Sequence, residues 1–161
     1  MDDAVKYSEA RNKAIKHIGL SVSSSGKTTE YLQNLGFDRE LVREVVDQLI
    51  EDGYVDDRKV ARKIIRQRSG AKSESRMKLF ARLEEAGVSR QLIEQVFDEE
   101  DVNDEETIME VIRDRFPVDS FSDDPREVRN QIAKAVRYLE SRGYSTSLAV
   151  ASFRKLIHDV E

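Results

Sequence analysis

Three stretches of the chain repeat one arrangement of apolar positions around a glycine. Leu32 lies four residues before Gly36, Leu83 four before Gly87, and Leu139 four before Gly143. Five residues after each glycine an apolar pair begins (Leu41-Val42, Leu92-Ile93, Leu148-Ala149), and four residues later another follows (Val45-Val46, Val96-Phe97, Ser152-Phe153). These spacings place the positions on one helical face, in the same phase each time. A glycine just past a helix takes the left-handed conformation that ends it at little cost, and the next residue, Phe37, Val88 or Tyr144, is expected to pack back on that end. Asp38, Ser89 and Ser145 come next, each able to accept a hydrogen bond from the open amides of a following helix. Each unit reads as helix, glycine turn, helix.

A further helix precedes each pair. Residues 57–68 align with 104–115, matching Val60, Ile64 and Ile65 to Thr107, Val111 and Ile112, and the equivalent first helix falls at about 4–18. The expected fold is therefore all-α: three tandem three-helix repeats over 1–53, 54–100 and 101–161, about nine helices in an elongated, curved array. Polar, turn-like connections are expected near 21–26, 53–56, 69–72, 99–103 and 117–125.

Composition agrees with helices. Two prolines and seven glycines leave long uninterrupted stretches, and a 39% hydrophobic fraction at regular spacing separates this 37% charged chain from a disordered one. With no cysteine there is neither disulfide nor thiolate metal site, and no apolar run reaches the length of a membrane span or a signal peptide, so a cytoplasmic protein is expected. The net charge of −5 hides a polar distribution: residues 57–90 hold 11 basic and 4 acidic side chains, whereas 98–127 hold 3 basic and 13 acidic.

Chemistry-bearing motifs are weak. Gly26-Lys27-Thr28 resembles the end of a phosphate-binding loop, but Ser21 stands where its first glycine belongs and no strand precedes it, so Ser24 or Ser25 is read as a helix cap. His17 and His158 sit in no catalytic motif and lie near helix ends, where imidazole faces the helix dipole favourably. Neither an enzyme nor a cofactor is expected. The acidic run 98–106 lacks the alternating ligands and central glycine of a calcium loop, and no metal site is expected. A helix-turn-helix DNA reader is disfavoured because its recognition helices would carry Glu40, Glu44, Asp47 and Glu51, or Glu94, Asp98 and Glu99, which phosphates repel.

The segments Leu49-Ile50-Glu51-Asp52-Gly53-Tyr54-Val55-Asp56-Asp57 leading into Val60-Ala61, Leu83 to Val88, and Tyr138-Leu139-Glu140-Ser141-Arg142-Gly143-Tyr144 resemble the RecX family of recombination regulators. Val60 stands where that family commonly carries phenylalanine, and Lys27-Thr28 where it carries Glu-Leu. The resemblance implies a cytoplasmic regulator, read as a monomer, that binds the RecA nucleoprotein filament on single-stranded DNA. There it modulates, chiefly by inhibition, recombination, DNA repair and the SOS response. Combined with the charge pattern, it nominates Arg62, Lys63, Arg66, Arg68, Lys72, Arg76 and Lys78 as filament or DNA contacts, Arg62 and Arg66 sharing a helix face. The alternative is a helical-repeat protein acting directly on DNA, with weak direct contact through the same residues.

Overall fold

The computed structural model describes residues 2–160, and among them nine α-helices and two short 3-10 turns carry the regular structure. The helices are α1 (Asp3–Ile18), α2 (Ser25–Asn34), α3 (Arg39–Glu51), α4 (Asp57–Gln67), α5 (Arg76–Glu85), α6 (Arg90–Glu99), α7 (Asp104–Arg115), α8 (Pro125–Ser141) and α9 (Thr146–Val160). The expected all-α fold is what forms. Extended pairing among the described residues is confined to a bridge of Ser23 with Val55, where Ser23 donates its amide to Tyr54 (3.3 Å) and accepts from Asp56 (3.0 Å).

The glycine turns behave as the spacing requires. Gly36, Gly87 and Gly143 have φ of 93°, 92° and 93°, a region that L side chains rarely occupy. After each, an amide reaches back to the leucine four residues before the glycine: Phe37 to Leu32 (3.3 Å), Val88 to Leu83 (3.0 Å), Tyr144 to Leu139 (3.1 Å). Ser89 and Ser145 accept from Leu92 and Leu148 as expected, at 3.4 and 3.1 Å. Asp38 does not cap: its side chain makes no such bond, and α3 begins without it.

The chain forms two compact units. The first takes in α1–α3, α4 up to Lys63, and Arg82–Glu99. Its core holds Ala10, Ala14, Leu32, Val42, Val45, Val46, Leu49 and Val55, all buried. Leu83, Ile93, Val96 and Phe97 of the same unit are also fully buried. The second takes in Ile64–Ala81 and α7–α9, around Ile108, Val111, Ile112, Ala135, Leu139, Tyr144, Ala149 and Phe153. The paired positions predicted from the glycine phase are thus core positions, except that Leu41, Leu92 and Leu148, the first of each pair, are half-buried.

A second repeated device is invisible in the apolar pattern. In the first unit Ser24 caps α2 by accepting from Lys27 (3.1 Å) and donates its hydroxyl to the Ala86 carbonyl (2.5 Å), the residue before Gly87. The next amide, Ser25, donates to Asp57 (2.6 Å), the first residue of α4. In the second unit Ser75 accepts from Lys78 (3.1 Å) and donates its backbone amide to Arg142 (2.9 Å), the residue before Gly143. The next amide, Arg76, donates to Asp104 (2.7 Å), the first residue of α7. A serine-capped helix start is therefore seated on a glycine turn twice. The approach is close: a Cβ on Gly26 would lie 2.5 Å from the Gly87 carbonyl oxygen, and one on Gly87 would lie 2.5 Å from Ser24 Oγ.

Candidate partner-binding surface

Helix α4 is short of acids in its own sequence, and its basic residues follow the apolar positions at helical spacing. Folding supplies the missing acids from elsewhere. In the first unit Arg58 and Arg62, one turn apart, hold the two oxygens of the Glu99 carboxylate at the end of α6, Arg62 at 3.1 Å. Arg58 also reaches Gln95 Oε1 (3.3 Å). The Arg58 hydrogen bond, with Arg62 adding to it, holds the Glu99 carboxyl below its ordinary value of 4.5. In the second unit Arg66 pairs with Glu100 (3.0 Å). Glu99 and Glu100, at the start of the acidic 98–127 segment, thus counter part of the basic stretch that is unbalanced along the chain.

The link between α4 and α5 is longer than the expected connection ending at residue 72. It contains a 3-10 turn at Gly70–Lys72 and then Ser73, Glu74 and Ser75, all buried. Glu74 is fully buried and pairs with Arg68 Nε (2.5 Å) and Lys78 Nζ (3.6 Å). A charge there is tolerable only because both cations come with it. Lys78 also donates to the Ser141 carbonyl (2.5 Å), and Arg142 donates to the carbonyls of Ser73 (3.4 Å) and Lys72. Tyr138 donates its hydroxyl to Ala71 (2.9 Å). These bonds fasten the link to the end of α8.

The nominated residues therefore divide by what they hold. Arg68 and Lys78 serve Glu74, and Arg76 gives Nη1 to the Val102 carbonyl (3.2 Å) as well as its amide to Asp104. These three are parts of the second unit's framework. Lys63, Arg66 and Lys72 remain exposed, and Arg62 lies between the two conditions. Arg58 was not nominated, yet it grips the same carboxylate as Arg62. The i, i+4 spacing of the two arginines was the available signal, whereas the Glu99 partner, 41 residues from Arg58, left none.

No protein-family model matches the chain. Among curated proteins it is similar to regulatory protein RecX of Mycobacterium sp. strain JLS, 31% identical over 127 residues that cover 78% of this chain and 67% of that protein. It is also similar to regulatory protein RecX of Streptococcus pneumoniae serotype 19F, 22% identical over all of this chain and 60% of that protein, so the chain spans about three fifths of the pneumococcal relative's length. Among solved structures, RecX from Lactobacillus salivarius superposes with a TM-score of 0.70 at 16% identity, covering 95% of this chain and 97% of that one. This likeness in structure shows the fold.

Proposed function

The chain belongs to the RecX family of regulatory proteins, and from that membership we propose that it binds a RecA-type recombinase filament on single-stranded DNA and restrains its recombination and repair activity. The observation that carries this reading is the Arg58–Arg62 pair, which already grips a carboxylate on the surface of the first unit. Two guanidiniums a turn apart present planar donors that suit an acidic side chain or a phosphate. Lys63, Arg66 and Lys72, exposed on the same chain stretch, supply the attraction that speeds encounter. A partner engaging the pair exchanges one carboxylate for another, so recognition costs little desolvation and responds to salt.

The seated serine caps on Gly87 and Gly143 support a division into three repeats at 1–53, 54–100 and 101–161, since both seats use the same register of serine, pre-glycine carbonyl and helix-starting aspartate. In this reading the protein acts as a monomer in the cytoplasm, without cofactor or catalysis of its own, and takes part in the SOS response through its partner. No helix among the described residues is long and apolar enough to cross a membrane.

The test is a pull-down with recombinase filaments assembled on single-stranded DNA, alongside free recombinase and bare DNA. Retention on filaments above both controls is the expected result. Equal retention on bare DNA replaces this reading with direct DNA binding.

A further inference from the structure

The arginines of α4 and the following link, Arg58, Arg62, Arg66 and Arg68, are each paired with a carboxylate, whereas among the described residues the cations of α8 are not. Arg126, Lys134 and Arg137 all lie on exposed positions of α8, and among the described residues none has an acidic side chain within ion-pair distance. Helical periodicity puts them, with Asn130 between, on one face. From Arg126 to Arg137 this face runs for about 16 Å at the usual helical rise. The acids nearest in sequence lie at the two ends of α8: Asp124 and Glu127 at its start, where Asp124 caps the helix by accepting from Arg126 (3.0 Å), and Glu140 near its end, where the carboxylate accepts from Thr146 Oγ1 (2.8 Å).

Beside this row lies an open groove of the second unit, with Arg115 and Lys134 on its rim and the partly buried rings of Phe116 and Phe121 in its wall. Arg115 is exposed, yet its guanidinium is held over the Tyr138 ring, 4.2 Å from the centroid, with Phe116 at 5.7 Å. Tyr138 is fixed in turn by its bond to Ala71 and by the edge of Phe116, 5.5 Å between centroids. Because Arg115 is exposed, its guanidinium can lie over the Tyr138 ring and still take a second planar group from solvent. A planar guanidinium fixed in this way is a stacking surface for a nucleobase.

We propose that the α7–α8 face of the second unit binds a single nucleic-acid strand, one base stacking on Arg115 against Tyr138 while the adjacent phosphates lie along Lys134, Arg137 and Arg126. This goes beyond the filament reading and does not depend on it: the site is separate in sequence from the Arg58–Arg62 pair. An acidic protein segment would satisfy the cation row but leave the guanidinium–aromatic platform unused. A duplex keeps its bases stacked inside and offers the platform nothing.

The full chain is titrated against fluorescein-labelled oligo-dT and oligo-U of twenty nucleotides, a duplex of equal length, and a poly-glutamate peptide as competitor, with no recombinase present. Single strands of either sugar should bind, more tightly than duplex. Arg115→Ala should weaken this binding about tenfold, the scale of one lost stack. Lys134→Gln with Arg137→Gln should lower the slope of log affinity against log salt by about one to two. A 2-aminopurine base in the strand should be quenched by the wild type and not by Arg115→Ala. Lys6→Ala with Lys16→Ala, two exposed cations of α1, should leave all of these readings unchanged. The proposal is overturned if single strands do not bind, if poly-glutamate competes as well as oligo-dT at equal charge, or if folded Arg115→Ala binds like the wild type. Loss of filament retention with intact strand binding strikes the proposed function alone.

Discussion

Glu74 and Tyr144 are two ionisable side chains buried in the second unit. Glu74 is fully enclosed, and its charge is balanced by Arg68 and Lys78. Glu74→Gln keeps the shape but leaves two cations facing a neutral amide, so it should destabilise the chain by about 3 kcal/mol, read as a shift in the denaturant midpoint. An unchanged midpoint would show the pair contributes nothing. Tyr144 is buried and donates to Thr107 Oγ1 (2.7 Å), and burial pushes its phenol up from 10.0 to about 12. A folded-state value above the unfolded one means the native state holds its proton longer. The stabilisation is complete below pH 10 and fades as pH rises from 10 towards 12. Tyr144→Phe should therefore show a smaller fall in melting temperature than wild type between pH 9 and pH 11.5, both measured at the same salt. The opposite sign applies to Glu99, whose contribution is present above 4.5 and lost as pH falls through its lowered value. None of these roles was legible at the residue level: Glu74 is one acid within a basic run, and Tyr144 one apolar position among many.

Elements were far more legible. The glycine phase located the α2–α3, α5–α6 and α8–α9 turns, and the span 104–115 matches α7 as it forms. This follows because a helix end is a local problem, solved by glycine at positive φ and by the next few residues. What surrounds the glycine is not local. Gly36 and Gly143 share a φ of 93°, but a Cβ at Gly36 meets nothing within 4 Å, whereas one at Gly143 collides with Ser75 and the Cβ of Lys78 (2.9 Å). Gly36→Ala should accordingly cost about 1 kcal/mol, the conformational penalty alone. Gly143→Ala should cost at least twice as much, and Gly143→Val more still, because Ser75 must leave its seat. Equal losses at Gly36 and Gly143 in thermal unfolding would mean that the seat carries no energy. The 3-10 turn at Gly70–Lys72 and the buried Ser73–Ser75 segment escaped notice for the same reason: a polar, serine-rich link reads as an exposed loop unless its burial partners are known.

At the scale of the whole molecule, the contrast between a basic 57–90 segment and an acidic 98–127 segment was visible in the sequence, but its consequence was not. Along the chain the two segments stand apart as opposite charge runs. In the structure Glu99 and Glu100 neutralise part of the basic segment within their own units. Reversing Arg58 and Arg62 to glutamate should weaken filament retention at least tenfold while leaving the circular dichroism spectrum intact, since both side chains are partly exposed. Glu99→Gln should strengthen retention, because the partner no longer competes with an internal carboxylate. If Glu99→Gln weakens it instead, Glu99 is itself a contact. The sequence by itself determined the all-helical class, the three glycine turns and the apolar faces that become core, because helix period, helix termination and hydrophobic phase depend on residues within a few positions of one another. Only the tertiary structure decided which charges are spent and which remain. A guanidinium binds whichever carboxylate folding brings within about 3 Å, and here those acids come from distant points of the chain for Arg58, Arg62 and Arg66, while among the described residues Arg126, Lys134 and Arg137 have none.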